Sequence, residues 1–230
     1  MKYYNALLLY KFIRNRPIKR VLDLGTGLGL STAVCALAFQ DKGETDYHID
    51  SIEQFDKCIK LANELIPKEL MEHITIHKSE VKVWQHSKLP YQYFSNYETL
   101  PKGDYDLIIN DGPSFYLQGE HLVDLPNGTI TEMLDKIKPG TFIAWDGRIQ
   151  AVSILERYFA DNFELYRANQ RGDDFNVIRR LDTPITFRDD KLVGLKETTT
   201  FFKDNEKETI TPPVDGSSAP SEDATLNQGT

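Results

Sequence analysis

Apolar positions along this chain fall into short runs that alternate between strand and helix spacing. Residues 3–13 carry Leu7, Leu8, Leu9 and Phe12 and predict a short helix, broken at Arg14–Pro17. Residues 19–24 read as a buried strand that runs into Gly25, and Ser31-Thr32 opens a helix through Val34, Leu37 and Phe39. A strand over 47–53 follows, then an amphipathic helix over 55–65 with Ile59, Leu61 and Leu65 on one side, stopped by Pro67. Residues 73–77 alternate as a third strand, and 84–103 read as irregular and rich in aromatics. Asp106-Leu107-Ile108-Ile109 is apolar within and predicts a central fourth strand. A loop over 112–128, a helix over 130–137, a fifth strand over 141–145 and a helix over 151–159 come next. Residues 163–166 and 175–181 close the core as two strands joined by the polar turn 169–174.

Strands alternating with helices imply parallel βαβ units with helices on both faces of the sheet. The last two strands have only a polar turn between them, which predicts an antiparallel hairpin. The expected fold is therefore α/β and doubly wound, a mostly parallel seven-stranded sheet with a C-terminal antiparallel β-hairpin. Residues 1–182 form the main domain. Residues 183–211 are a C-terminal extension in which 185–187 and 199–202 suggest an added hairpin. Residues 212–230, rich in Pro, Ser, Gly, Asp and Thr, are expected to be disordered.

Composition narrows the partners. With 40% hydrophobic and 11% aromatic residues the chain can bury a sizeable core. No run of apolar residues is long enough for a bilayer span, and the first twenty or so residues lack the order of a secretory signal. A cytoplasmic enzyme with no large N-terminal recognition domain is the expectation. Cys35 and Cys58 fall in helical patterns and are read as buried free thiols. The net charge of −8 speaks against nucleic acid. Lys11, Arg14, Arg16, Lys19 and Arg20 cluster before the first strand, as a solvated face or as an anchor for an anionic acceptor.

The most specific feature is Val21-Leu22-Asp23-Leu24-Gly25-Thr26-Gly27-Leu28-Gly29. A glycine turn after a buried strand lets a ligand approach the backbone, and the helix that follows points free N–H groups at it. Position 30 is Leu30, where the dinucleotide fingerprint needs its third glycine. Asp23 lies two residues before the first glycine, where a carboxylate disfavours a pyrophosphate and suits a ligand bearing an ammonium group.

At these residues the sequence resembles the class I S-adenosylmethionine-dependent methyltransferases, over roughly residues 19–181, which implies a Rossmann-like domain. The resemblance implies that Gly25, Thr26, Gly27 and Gly29 line S-adenosylmethionine, with Asp23 near its amino-acid end. Glu53, ending the second strand, would accept from the ribose hydroxyls. Ser79 or Glu80, after the third strand, would contact the base. Asp111, at the end of the fourth strand, projects toward the transferred methyl and would act as general base or hold a hydroxyl. His121 in the following loop is a second candidate base. Asp146 ends the fifth strand; with Asp111 it suggests an oxygen site for a divalent ion. Metal-dependent relatives carry Asn after that acid, whereas here Gly147 follows it, which leaves the ligand set incomplete and no metal ligand assigned. The expected acceptor is a hydroxyl of a small molecule or glycan, with no membrane partner. An aminopropyltransferase on the same fold is weakened by Gly112-Pro113-Ser114, which lacks a second acid after Asp111. A scaffold without turnover is the rival from another class.

Overall fold

The computed structural model describes residues 3–86, 88–89, 93–113, 115–118, 121–147, 149–167, 175–188 and 196–198. In chain order the helices are α1 (Tyr3–Arg14), α2 (Leu30–Lys42), α3 (Asp56–Leu65), α4 (Thr129–Glu132) and α5 (Ile149–Tyr158). The strands are β1 (Arg20–Leu24), β2 (His48–Glu53), β3 (Ile74–Lys78), β4 (Val81–Gln85), β5 (Tyr93–Tyr97) and β6 (Leu107–Asn110), followed by β7 (Phe115–Gln118), β8 (His121–Asp124), β9 (Phe142–Asp146), β10 (Phe163–Arg167), β11 (Phe175–Arg180) and β12 (Lys196–Thr198). Among the described residues no helix is long and apolar enough to cross a membrane.

The main sheet runs β12-β10-β11-β9-β6-β1-β2-β3. β1, β2, β3, β6 and β9 pair in parallel, and β11 lies antiparallel between β9 and β10. The doubly wound reading and the closing antiparallel pair are thus present. One face packs Val21, Ile49, Leu107, Ile109 and Ala144 against α1, α2 and α3 through Leu9, Phe12, Phe39 and Ala62. The other packs Leu22, Leu24, Ile52, Ile108, Ile143 and Trp145 against α5 and the β5 aromatics Phe94 and Tyr97. Each fully buried apolar side chain of this size contributes about 1.5–3 kcal/mol. Chain order reverses between β1 and β6, which opens a crevice beyond their carboxyl ends.

Four expectations are corrected. The stretch 84–103 is not wholly irregular: β4 and β5 form an antiparallel ribbon, with Trp84 opposite Phe94 and ring centroids 5.4 Å apart. Aromatic and β-branched residues favour such cross-strand pairs. The loop 112–128 contains a second ribbon, β7 with β8. The helix over 130–137 shortens to α4 and a 3-10 turn, Leu134–Lys136, where Lys136 N–H and Ile137 N–H bond three residues back, to Met133 and Leu134. To the expected seven strands, which are all present, β12 adds an eighth of three residues, in parallel on the free edge of β10. Residues 185–187 form no strand, and 199–202 and the tail 212–230 lie outside the described residues.

Because a ribbon, not a helix, makes the crossover from β3 to β6, part of the sheet face near its edge is polar. Asp50 on β2 accepts from Tyr105 Oη–H at 3.0 Å and lies 2.6 Å from His77 Nε2 on β3. At the other end of the sheet Asp106 ties three strands together. Its Oδ2 accepts from Lys19 N–H and Arg20 N–H, each at 3.0 Å, and its Oδ1 from Lys138 Nζ at 3.1 Å. Partial burial pushes the carboxyl up, but the two N–H donors and Lys138 outweigh it and hold its pKa below 3.8.

A group held below its unfolded pKa stabilises the fold above that value and loses the effect as pH falls through the folded one. Asp106→Asn should therefore cost about 1 kcal/mol at neutral pH, discounted for solvent screening. In urea titrations the gap from wild type should close as pH falls below 3.8; a gap independent of pH would contradict this.

Candidate functional site

The turn after β1 is held by the end of β2. Gly25 N–H and Thr26 N–H both donate to Ile52 O at 3.0 Å, and Gly27 N–H donates to Glu53 Oε2 at 2.8 Å. Thr26 Oγ1 lies 2.6 Å from Ser51 Oγ. Gly25 has φ +105°, and a Cβ there would stand 2.8 Å from Gly112 N and 2.9 Å from Asp111 C. Glycine is therefore required twice over, by conformation and by the closeness of the turn after β6.

Two buried carboxylates organise this turn. Asp23 is fully buried; its Oδ2 accepts from Ser31 Oγ–H at 2.8 Å and Thr32 Oγ1–H at 2.7 Å, in the first turn of α2. Its Oδ1 has no partner. Burial first, and the negative charge of Asp111 second, push its pKa up to about 6 against the pull of the hydroxyl donors. Glu53 is also buried. Besides Gly27, it accepts on Oε1 from Gln54 N–H at 2.8 Å and Phe55 N–H at 3.0 Å, where α3 begins. A carboxylate at that position also suits the helix dipole.

Gly25, Gly27, Glu53, Gln54, Phe55, Cys58, Tyr97, Asp111, Gly112 and Pro113 line a cleft of about 250 Å³ at the strand ends. Small-molecule sites span about 300–1,000 Å³, so a ligand of nucleoside size extends beyond it. Asp111 is half-buried and its N–H donates to Leu24 O at 2.9 Å. The predicted residues Gly25, Gly27, Glu53 and Asp111 thus meet in one cleft. Asp23, Thr26 and Gly29 lie buried in and beneath the turn. Ser79 and Glu80 follow β3 and do not line the cleft. Ser79 Oγ accepts from Thr99 N–H at 3.0 Å, and the exposed Glu80 pairs with Lys78 at 3.5 Å. Asp146 ends β9 and His121 opens β8, but their side chains lie outside the described residues, as does Arg148.

Some contributors were not anticipated. Cys58, expected to be buried, is partly exposed on α3 and faces the cleft, whereas Cys35 is fully buried. Asn127 Nδ2–H donates to Gly112 O, and its Oδ1 accepts from Thr129 N–H at 2.9 Å, so it joins the β6 turn to α4. Ser95 Oγ lies 3.3 Å from Pro113 O and 3.2 Å from Leu125 O and clamps the same turn from β5. An Asn before a helix is a recognisable cap; its second partner is not visible in sequence.

A larger cleft, about 710 Å³, lies elsewhere among the described residues, between residues 97–105 and 132–141. It reaches strand starts at Tyr105 and Thr141, and its Lys82 and Lys138 are engaged by Glu132 and Asp106. Ligands of open α/β sheets lie at the carboxyl ends, which favours the smaller cleft despite its size.

A family model described as protein-L-isoaspartate(D-aspartate) O-methyltransferase matches residues 4–95. A putative O-methyltransferase from Klebsiella pneumoniae superposes with TM-score 0.52 at 16% identity, over 80% of this chain and 82% of its own. The chain has the class I methyltransferase fold. An SAH-bound methyltransferase from Podospora anserina shares this methyltransferase fold with TM-score 0.52 at 16% identity, covering 79% of this chain and 80% of that one. A SAM-dependent O-methyltransferase from Thermotoga maritima gives TM-score 0.52 at 16% identity, over 80% and 67%. No curated protein matches the sequence.

Asp23 yields a prediction with a definite sign. Between pH 3.8 and about 6 the folded protein binds more protons than the unfolded chain, so stability falls as pH rises through that window. Asp23→Asn removes the buried charge and should stabilise the unliganded protein by about 1–3 kcal/mol at about pH 8. The gain should shrink toward pH 3.8. Urea unfolding across that range checks it, and a variant less stable than wild type at the alkaline end would refute the assignment.

Proposed function

We propose that this protein transfers a methyl group from S-adenosylmethionine to a hydroxyl oxygen of a small molecule or glycan. The observation that carries the reading is the glycine-turn cleft at the β1–β6 switch point, with Glu53 and Asp111 on its rim. The donor set suits the cofactor. Gly25 and Gly27 leave backbone at the cleft for a close ligand, Thr26 and Gly29 hold the turn from beneath, and Glu53 keeps one acceptor position of about four for a ribose hydroxyl beside its three N–H donors. The orphaned oxygen of Asp23 lies beneath the turn, so its negative charge favours an ammonium group there without contact. Ser79 or Glu80, after β3 and outside the cleft, would contact the base of a ligand that extends past it.

When bound, S-adenosylmethionine supplies a methyl group on a sulfonium, a reactive electrophile with a good leaving group. The protein's own work is then to align the acceptor and remove its proton. Asp111 does this from the end of β6, either taking the hydroxyl proton or orienting the hydroxyl. Its position is fixed by the bond to Leu24 O and by the contact of Gly112 with Gly25. His121 and Asp146, on the neighbouring segments, are the further candidates for acceptor chemistry. The family match ends at residue 95, before β6, and therefore bears on the cofactor half and not on the acceptor.

Calorimetric titration should show one saturable site for S-adenosylhomocysteine and none for NAD. The same ligand should slow modification of Cys58 by a thiol reagent, while Cys35, buried and with its thiol pushed up by desolvation, stays silent. NAD binding in place of S-adenosylhomocysteine would overturn the reading. Asp111→Ala should keep S-adenosylhomocysteine affinity and lower turnover by about 10²–10⁴-fold, the range of general-base loss. Unchanged turnover, measured on any accepted hydroxyl substrate, would remove Asp111 from the chemistry.

A further inference from the structure

The basic cluster before β1 is divided by the fold. Lys19 pairs with Glu44 at 3.4 Å and Asp46 at 3.2 Å, and Arg20 pairs with Asp46 at 3.4 Å. Arg14 lies over the ring of Tyr10 on the outside of α1. Arg16 turns inward, into a cleft of about 390 Å³ lined also by Asp106, Lys138, Phe142, Tyr166 and Arg179. Its guanidinium carbon lies 4.8 Å from the ring centroid of Phe12, 5.3 Å from that of Phe142 and 5.6 Å from that of Tyr166. Lys42 Nζ donates to Arg16 O at 2.6 Å and fixes the backbone there.

The charges of this cleft do not balance. Lys138 is matched by Asp106 at 3.1 Å and Arg179 by Glu164 at 3.3 Å. Among the described residues the Arg16 side chain has no carboxylate partner. Partial burial first, with the nearby Arg179, depresses its pKa against an opposing pull from Tyr166. The chain as a whole carries −8, so a cationic recess is contrary to its general surface.

We propose that this cleft binds an organic phosphate, with the phosphoryl group among Arg16, Arg179 and Lys138 and an apolar or aromatic body against Phe142 and Tyr166. The guanidinium fork of Arg16, with the N–H donors that Arg179 and Lys138 keep beside Glu164 and Asp106, offers more donors than the two oxygens of a carboxylate accept and suits the three oxygens of a phosphate monoester. The cleft volume exceeds what a bare phosphate fills. The site opens before β1, one five-residue strand away from the glycine turn, or about 16 Å at the usual rise. It is therefore separate from the methyl-transfer cleft and does not depend on that reading.

The test titrates the full-length protein with phenyl phosphate at constant ionic strength, with phenol and benzoate as controls. Saturable one-site binding of phenyl phosphate is expected, with none for phenol and weaker binding for benzoate. Arg16→Gln should weaken phenyl phosphate about tenfold or more, the weight of a charge-assisted hydrogen bond. The affinity for S-adenosylhomocysteine should stay unchanged, which separates this site from the other. If Arg16→Gln does not fold, Arg179→Gln, at an exposed position, decides in the same direction. The proposal fails if wild type shows no saturable binding, if phenol or benzoate binds equally well, or if a folded Arg16→Gln variant keeps full affinity.

Discussion

The candidate site depends on one close approach. The turns after β1 and β6 meet backbone to backbone, and a Cβ built on Gly112 would lie 2.8 Å from Gly25 Cα and 2.7 Å from Tyr97 Oη. Side chains are excluded at Gly25 and Gly112, so the two strand ends meet there as bare peptide and the crevice between them stays open. Any bulk there would push apart β1 and β6, the two central strands whose pairing carries both halves of the sheet. The cleft is thus a consequence of sheet packing, and Asp111 inherits its position from it.

Around that contact, buried polar groups work mainly on the protein itself. Glu53 spends three acceptor positions on N–H groups of the glycine turn and of α3, joining two elements that would otherwise leave donors unpaired. Asp23 accepts from the Ser31 and Thr32 hydroxyls in the first turn of α2, at the cost of keeping a charge in a desolvated place. Asn127 and Ser95 close the other side by holding Gly112 O and the Pro113–Leu125 segment. These bonds tie the turn after β6 to β5 and α4.

What the sequence disclosed follows the reach of each interaction. The Asp23–Gly29 turn was legible because positive φ and strand-to-helix spacing are local properties. Glu53 was legible because the end of the next strand is a fixed place in a βαβ unit. The β4–β5 ribbon was hidden, since Trp84 and Phe94 find each other only across a turn that carries no strong signal. Asn127 was hidden for a related reason: its partner Gly112 is fifteen residues upstream. The basic cluster was visible as composition, but its division into paired lysine and arginine and an inward Arg16 depends on where Glu44, Asp46 and the β9–β11 surface lie in space.

The place of β11 has a consequence for how the chain reaches this state. It is made after β10 yet sits between β10 and β9, so β9 has no partner beyond β6, and β10 none on that side, until residue 180 is available. During synthesis the open edge of β9 must wait with its N–H and C=O groups unpaired, beside the long-range β1–β6 pairing already formed. Sheets assembled from such distant segments fold slowly and expose templates for intermolecular association. The last hairpin is thus a lock as well as a strand pair, and the half-made protein is the form most in need of chaperone cover.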